Sequence, residues 1–479
     1  MSQGKRATIL LVELPVFPKG VLSLGLPLLA AYFEEKLNVK TLDINQFDWQ
    51  GFDLLPYLKE VDYVGFKVSS QSMEHAISLT QKINNSNPDI KVLWGGELPS
   101  LLPELCLEHA DCIVTKRVEG CLDELLADLV SGSLKQTYEG GSDFSGKHRT
   151  PLIQPFLSQE DYFSFMGLPL ETSTGCDRFC RFCMVHTMQP GVKYRLEDTL
   201  KLDLENLGQT FVNVLDYNIG ITKEHLLNVC RQFEESQVLG WMCEMCLESL
   251  EDEEILEALS KSRCKMIYCG LESINEEGLK SVNKHKTNHP DHYRRIIKKV
   301  QSYGLNIASG FIVGLEGTTE QTFRQMLDFY NEVGIEYVKI TFLTYNPGTY
   351  FYKAMKRSGD YTTEDISRFD GNHLTYLAHG LSEAEMYNGT KWFIREFYSI
   401  PSVIRRSWKA HRTFHRRLEA VLFNLCYGQS YKDWLKHDVL ETNSSGIRSL
   451  MEKGFARPWY IRASEWLLVK TQKAQLKIE

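Results

Sequence analysis

The chain has 479 residues, of which 43% are hydrophobic, 24% charged and 11% aromatic, and it carries a net charge of −8 from 54 basic and 62 acidic residues. That length exceeds one ordinary domain, and the composition is that of a folded protein with a sizeable core. The acidic balance argues against a general nucleic-acid binder, and no uncharged apolar run reaches the roughly eighteen residues of a membrane span.

The N-terminus, MSQGKRATILLVELP, sets two basic residues before an apolar run. The run is short, is broken by Glu13 and lacks a small-residue cleavage site, so it predicts a first strand rather than a signal peptide. A cytoplasmic location follows, where thiols stay reduced. The 12 cysteines then fit a metal site plus buried thiols better than disulfides.

Strand signals come at Ala7–Leu14, Val39–Ile44, Val61–Val68, Lys91–Trp94 and Asp111–Val114. Amphipathic stretches lie between them at Leu26–Glu35, Met73–Ile83 and Glu119–Val130. Short apolar strands alternating with helices predict a parallel sheet covered on both faces, an α/β module of doubly wound, Rossmann-like type over residues 1–140. Gln136 to Pro155 is rich in Gly, Ser and polar residues and reads as a linker, set at 141–165.

A second alternation predicts strands at Leu170–Thr174, Thr210–Leu215, Gly240–Cys246, Lys265–Gly270, Ile307–Val313 and Tyr337–Leu343. Helices are expected at Leu200–Leu207, Lys223–Glu234, Asp252–Leu259, Tyr293–Gln301 and Glu320–Glu332. Six βα units over 166–358 predict a (β/α)6 partial TIM barrel, whose chemistry belongs at the C-terminal strand ends. From Gly359 to Glu479 the chain reads as a helical extension, aromatic and locally basic (IRRSWKAHRTFHRR).

The strongest signal is TGCDRFCRFC, Thr174 to Cys183, directly after the first strand of the second module. Cys176, Cys180 and Cys183 are separated by three and then two residues. Three thiolates on one tight loop can each bind one iron of a [4Fe–4S] cubane and leave the fourth iron open for substrate chemistry. Gly175 lets the backbone leave the strand at an unusual φ. The alternative is a closed zinc site with His186 as a fourth ligand, and with it a non-catalytic metal protein. Cys243 and Cys246 form a second CxxC. An auxiliary cluster with Cys230, Cys264 or Cys269 is conceivable, but two residues three apart on a strand face opposite ways, and buried thiols are the better reading.

This loop resembles that of the radical S-adenosylmethionine (radical SAM) superfamily, and the resemblance runs from about Leu168 to Arg357. It implies that the open iron chelates S-adenosylmethionine, whose reductive cleavage gives a 5′-deoxyadenosyl radical. It also implies that Phe182 packs near the adenine, that Asp216 ends the second strand as a cofactor-facing acid, and that Glu272 and Ser273, in a Gly-Leu-Glu-Ser motif, meet the cofactor's polar groups. Gly314 closes the segment along the adenine. Thr344 to Thr349 resembles a structural Pro-Gly-Thr turn.

The first module resembles the cobalamin-binding domain fused before one subfamily of these enzymes. The match lies in SLGLP from Ser23 into a leucine-rich helix, in the loop Val68 to Ser72 and in WGGELP from Trp94. Ser69, Ser70, Gly95, Gly96 and Glu97 are the implied cobalamin contacts. The motif carrying a cobalt-ligating His is absent: the first loop reads ELPVFPKG, and no His precedes His75. Together the resemblances imply a cobalamin-dependent methyltransferase acting on an unactivated carbon or phosphorus of a small molecule, with a flavodoxin or ferredoxin-type electron donor. A radical cyclase, ring-rearranging or oxidising enzyme with the same cofactors remains the alternative.

Overall fold

The computed structural model describes residues 6–15, 23–44, 52–142, 167–377 and 380–411, with isolated residues at 151 and between 413 and 428. The expectations for the rest of the linker, for loop residues 16–22 and for the extension beyond 428 lie outside the described residues.

The first module alternates β1 (Thr8–Glu13), α1 (Gly25–Phe33), β2 (Asn38–Asp43), β3 (Tyr63–Lys67), α2 (Met73–Ser86) and β4 (Lys91–Gly95). It continues with α3 (Glu97–Leu101), α4 (Pro103–Leu107), β5 (Cys112–Thr115), α5 (Leu122–Ser131) and β6 (Thr137–Glu139). The sheet order is β2-β1-β3-β4-β5-β6, with every pair parallel. Successive side chains on a strand point to opposite faces. Ile9 and Leu11 accordingly pack with Leu26 of α1 and Leu125 of α5, while Leu10 and Val12 pack with Ala76 and Leu79 of α2. The chain reverses its winding between β1 and β3, where a doubly wound sheet opens a crevice at its C-terminal edge. β6 falls in the stretch read as linker. Its three residues bury only Tyr138, whose hydroxyl donates to Asp128 at 2.6 Å.

The second module runs β7 (Leu168–Leu170), β8 (Ser173–Thr174), α6 (Val185–Met188), β9 (Lys193–Tyr194), α7 (Glu197–Leu207), β10 (Phe211–Val214), α8 (Lys223–Glu235), β11 (Gly240–Glu244) and α9 (Glu253–Lys261). Then follow β12 (Cys264–Glu272), α10 (Glu276–Ser281), α11 (Pro290–Ser302), β13 (Asn306–Val313), α12 (Glu320–Val333), β14 (Tyr337–Phe342) and α13 (Tyr350–Ser358). Its parallel sheet has the order β14-β13-β12-β11-β10-β7, each strand beside its neighbour in sequence, as in a (β/α)6 partial barrel. α8 turns Leu226, Val229, Cys230 and Phe233 onto the sheet, the helical stripe that the sequence periodicity implies.

One predicted strand is broken. Leu170–Thr174 is not continuous: β7 ends at Leu170, and Ser173 and Thr174 form an antiparallel hairpin with Tyr194 and Lys193.

The extension is irregular up to Leu381, with a single bridge between Tyr361 and Tyr376. It is helical in α14 (Glu383–Phe397) and α15 (Ile400–Ala410), which pack on α12. Arg406 anchors α15. It is buried, donates to the Phe397 carbonyl and the Ser402 hydroxyl at 2.6 Å each and lies 3.5 Å over the Phe397 ring. Burial pulls its guanidinium down to about 10.

Candidate active site at the seam of the two sheets

The cysteine loop is held from three sides. Gly175 has φ 77°, and a Cβ there would sit 1.8 Å from the Gly191 carbonyl oxygen, so only glycine fits. Asn283 donates to the Phe179 carbonyl at 2.9 Å, and Arg181 donates from its backbone to Val282 at 3.1 Å and from its guanidinium to Ser281 at 3.0 Å. The amide of Phe351 donates to the Arg181 carbonyl at 3.0 Å. Gly348, with φ 79°, packs on Thr187 just beyond the loop, whose hydroxyl donates to the Gly348 carbonyl at 3.1 Å. Cys176, Cys180 and Cys183 are all half-buried free thiols.

His186 is turned to the loop itself. Its Nε2 pairs with the Arg178 carbonyl and its ring stacks on Phe179 at 4.4 Å. Among the described residues no three His, Cys, Asp or Glu side chains converge on a point where one ion could sit. His186 is thus engaged with the loop backbone, and the three cysteines are the thiol donors that the loop presents. Phe182 is half-buried against the barrel core.

Asp216 departs from its expected role. Its carboxylate is fully buried and accepts from the Thr172 amide at 2.7 Å and from the Thr172 and Ser173 hydroxyls at 2.5 Å each. These bonds capture the backbone that would have continued β7. They turn it toward Cys176 and leave the acid facing no open space. Tyr217, the next residue, is the one that reaches the seam. It is 37% exposed, accepts from Gln189 at 3.4 Å, and burial together with Glu171 holds its phenol protonated.

Glu272 ends β12 at φ 62°, where the ladder slips between Cys269 and Glu272. A non-glycine residue in this region is strained by about 1–3 kcal/mol. Its carboxylate meets Lys284 Nζ at 2.9 Å, and that ammonium also donates to the Gly270 carbonyl at 2.7 Å. Burial works against the Lys284 charge, but the Glu272 carboxylate, through its charge and its hydrogen bond, outweighs it and the ammonium stays protonated. Two glycines make room for the pair. A Cβ at Gly270 would come within 2.3 Å of Glu272 Oε1 and 2.6 Å of Lys284 Nζ, and one at Gly310 within 2.7 Å of Glu272 Oε2. Ser273 is buried and accepts from the Asn275 amide at 2.9 Å. Gly314 has φ 92°. Lys284 was not anticipated: it stands in the polar run SVNKHKTN, which carries no period or motif.

Cys243 is buried in the core with Cys230, Cys264 and Cys269. Cys246 is not, because β11 stops at Glu244 and leaves it half-buried at the rim, its amide donating to Asn218 at 3.1 Å. With Trp241 and Cys243 in the outer core, Glu244 faces the barrel interior. There burial raises its carboxyl while Lys339 opposes the rise.

Across the seam, the first module contributes a cavity of ≈ 230 Å³ at the C-terminal edge of its sheet, lined by Leu11, Leu26, Gly65, Gly95 and Val118 and closed by Glu171 and Leu215 of the barrel. Gly65 and Gly95 leave the floor bare. A Cβ at Gly65 would lie 3.0 Å from Leu11 Cδ2, and one at Gly96, with φ 102°, 3.1 Å from the Val68 carbonyl oxygen. The glycines leave an aliphatic floor against which a flat apolar ring fits. Glu97 opens α3, which packs on α6 directly behind the cysteine loop. Burial raises its carboxyl and Lys67 lowers it. Ser70 is buried, and Ser69 is engaged with Ser72, whose hydroxyl accepts the Ser69 amide at 3.0 Å. Arg117 clasps the modules: it meets Glu171 in a bidentate pair at 2.7 and 2.8 Å and Glu119 through Nε at 3.1 Å.

Residues 170–330 match the family described as the Radical SAM superfamily, and residues 17–126 match the B12 binding domain. The chain is 26% identical over 418 residues to the bacteriochlorophyllide d C-8(2)-methyltransferase of Chlorobaculum tepidum, covering 83% of this chain and 92% of that protein. Its fold is that of the cobalamin-dependent S-adenosylmethionine radical enzyme OxsB, with TM-score 0.64 and 16% identity over 98% of this chain and 80% of that one. It is also that of the radical S-adenosylmethionine methyltransferase TsrM from Kitasatospora setae, with TM-score 0.62 and 16% identity over 98% and 99%.

Proposed function

We propose that this chain, a radical SAM enzyme carrying a B12 binding domain, is a methyltransferase that alkylates an unactivated carbon of a small molecule. The observation that carries this reading is the seam itself: α3 of the first module is seated on α6, which follows the cysteine loop, and Glu171 and Leu215 of the barrel stand in the wall of the glycine-floored cavity. When bound, the cluster supplies the electron that cleaves S-adenosylmethionine and cobalamin supplies the methyl carrier.

The chain's own residues bind, orient and exclude water. Cys176, Cys180 and Cys183 hold three irons, and the Asp216 bonds to Thr172 and Ser173 aim their loop. Lys284 is the cation for the carboxylate of S-adenosylmethionine. Glu272, paired with it at 2.9 Å, offers a carboxylate edge to the amino or ribose groups, with Ser273, Gly314 and Phe182 lining the rest. Gly65, Gly95 and Gly96 seat the nucleotide base, with Ser69, Ser70 and Glu97 around it. The Arg117–Glu171 pair closes the seam against solvent. Substrate fits the barrel interior between Glu244 and Lys339. The electron donor is a flavodoxin or ferredoxin-type protein of the cytoplasm.

Anaerobic protein reconstituted with cobalamin is expected to contain about four irons and one cobalt per chain, and to turn methyl-labelled S-adenosylmethionine into labelled product. Four irons with no cobalt would remove methyl transfer and leave a radical enzyme of another outcome.

A further inference from the structure

The basic stretch of the extension takes no part in this site. Residues 399–418 hold six arginines and lysines and no acid, in a chain whose net charge is −8. α15 turns Ser402, Val403, Arg406, Ser407 and Ala410 inward. That face is mostly small and polar, so the large apolar residues are on the outside. Ile400 is 62% exposed, Ile404 43% and Trp408 45%. At spacings of four they form one continuous stripe. Phe414 and Leu418 beyond the helix are 70% and 37% exposed.

Cations flank the stripe. Arg405 and Lys409 are exposed beside it, and Arg417 lies 5.3 Å over the Trp408 ring. Glu332 of α12, whose carboxyl Lys409 helps to hold low, is already paired with Arg294 at 2.8 Å. Scattered exposed apolar residues are ordinary, but a helical stripe flanked by exposed cations is not. An apolar edge with a basic border and a tryptophan between them matches the interface of an anionic bilayer, where the ring and aliphatic side chains sink below the headgroups and the cations stay among them. Nucleic acid would use the cations and leave Ile400, Ile404 and Trp408 in water. No described helix is long and apolar enough to cross a membrane, so the contact lies along the surface.

We propose that α15, with Phe414, Arg417 and Leu418 beyond it, docks the protein on anionic phospholipid, independently of whether methyl transfer is the reaction. Full-length protein would be floated with phosphatidylglycerol–phosphatidylcholine vesicles and with pure phosphatidylcholine vesicles. Binding is expected to the anionic vesicles alone, to fall in high salt, and to drop about tenfold or more in Ile404→Glu/Trp408→Glu. In Arg405→Glu/Lys409→Glu it should fall by a similar factor. Circular dichroism and iron content, unchanged in both variants, would show that they fold. Absence of vesicle binding overturns the proposal. So does a dimer, seen by sedimentation, that the Ile404→Glu/Trp408→Glu variant abolishes, because the stripe then meets a second copy. Salt-sensitive binding of mixed RNA that survives Ile404→Glu/Trp408→Glu, without vesicle binding, would likewise overturn it in favour of a nucleic-acid surface.

Discussion

The two sheets prepare their sites by opposite means. In the first, the site is made by leaving side chains out: Gly65 and Gly95 bare the floor of an otherwise aliphatic cavity. In the second it is made by crowding in charge and strain, with Glu272 at φ 62° locked to a buried lysine beside three thiols. An apolar cradle needs only shape, because hydrophobic contact is not directional. A site for a charged cofactor needs fixed dipoles and paired ions, because unpaired charge in such a place is expensive. The first should therefore fail by filling alone, and the second both by unpairing its ions and by filling the glycines that make room for its loop and its ion pair.

The largest effect is expected at Gly175, where a Cβ would meet backbone at 1.8 Å. Gly175→Ala should retain cobalt yet hold less than about a tenth of the parent iron, by metal analysis after reconstitution; iron at the parent level would refute the geometry. Lys284→Met comes next. It strands the Glu272 carboxylate, and breaking such a pair costs about 3–5 kcal/mol. Denaturant unfolding should show this loss, and S-adenosylmethionine binding should weaken with it. A variant as stable as the parent would mean that the pair is solvated.

Gly65→Leu fills the cradle. Overpacking of this kind costs about 1–3 kcal/mol, and the protein should emerge with its iron but without cobalamin. Loss of both metals would blur the contrast between the sheets. Glu97→Gln is the gentlest test. Burial raises the Glu97 carboxyl above its ordinary 4.5, so its ionisation works against the fold as pH rises through that raised value and not below the ordinary one. The amide should raise Tm at pH 8 and leave it unchanged near pH 4. A variant less stable at pH 8 would show that the charge has a partner.

Much of this was legible in the residues. Period-two runs such as TILLVE and helical stripes such as that of α8 locate most elements, and the three cysteines with Gly175 mark the loop. What escaped detection has physical causes. Thr137–Glu139 joins the sheet by backbone bonds with a single buried side chain, too little to make a period. Asp216 lies at the strand end where the resemblance put it, but the adjacent threonine and serine hydroxyls consume its oxygens, so Tyr217 reaches the seam in its stead. Cys246 was assigned to a strand that stops two residues earlier; strand ends are set by ladder bonds that composition does not encode. Lys284 lies 12 positions beyond its partner, in a run that reads as a solvated loop, and only the fold brings the two charges together.

The packing around Glu272 also constrains how this protein can change over generations. Gly270, Gly310, Glu272 and Lys284 occupy one another's space: a side chain at either glycine displaces the carboxylate or the ammonium, and shortening the lysine strands the acid. Each of the four is therefore held by the others, so a substitution at one is felt as lost room or a lost partner at another.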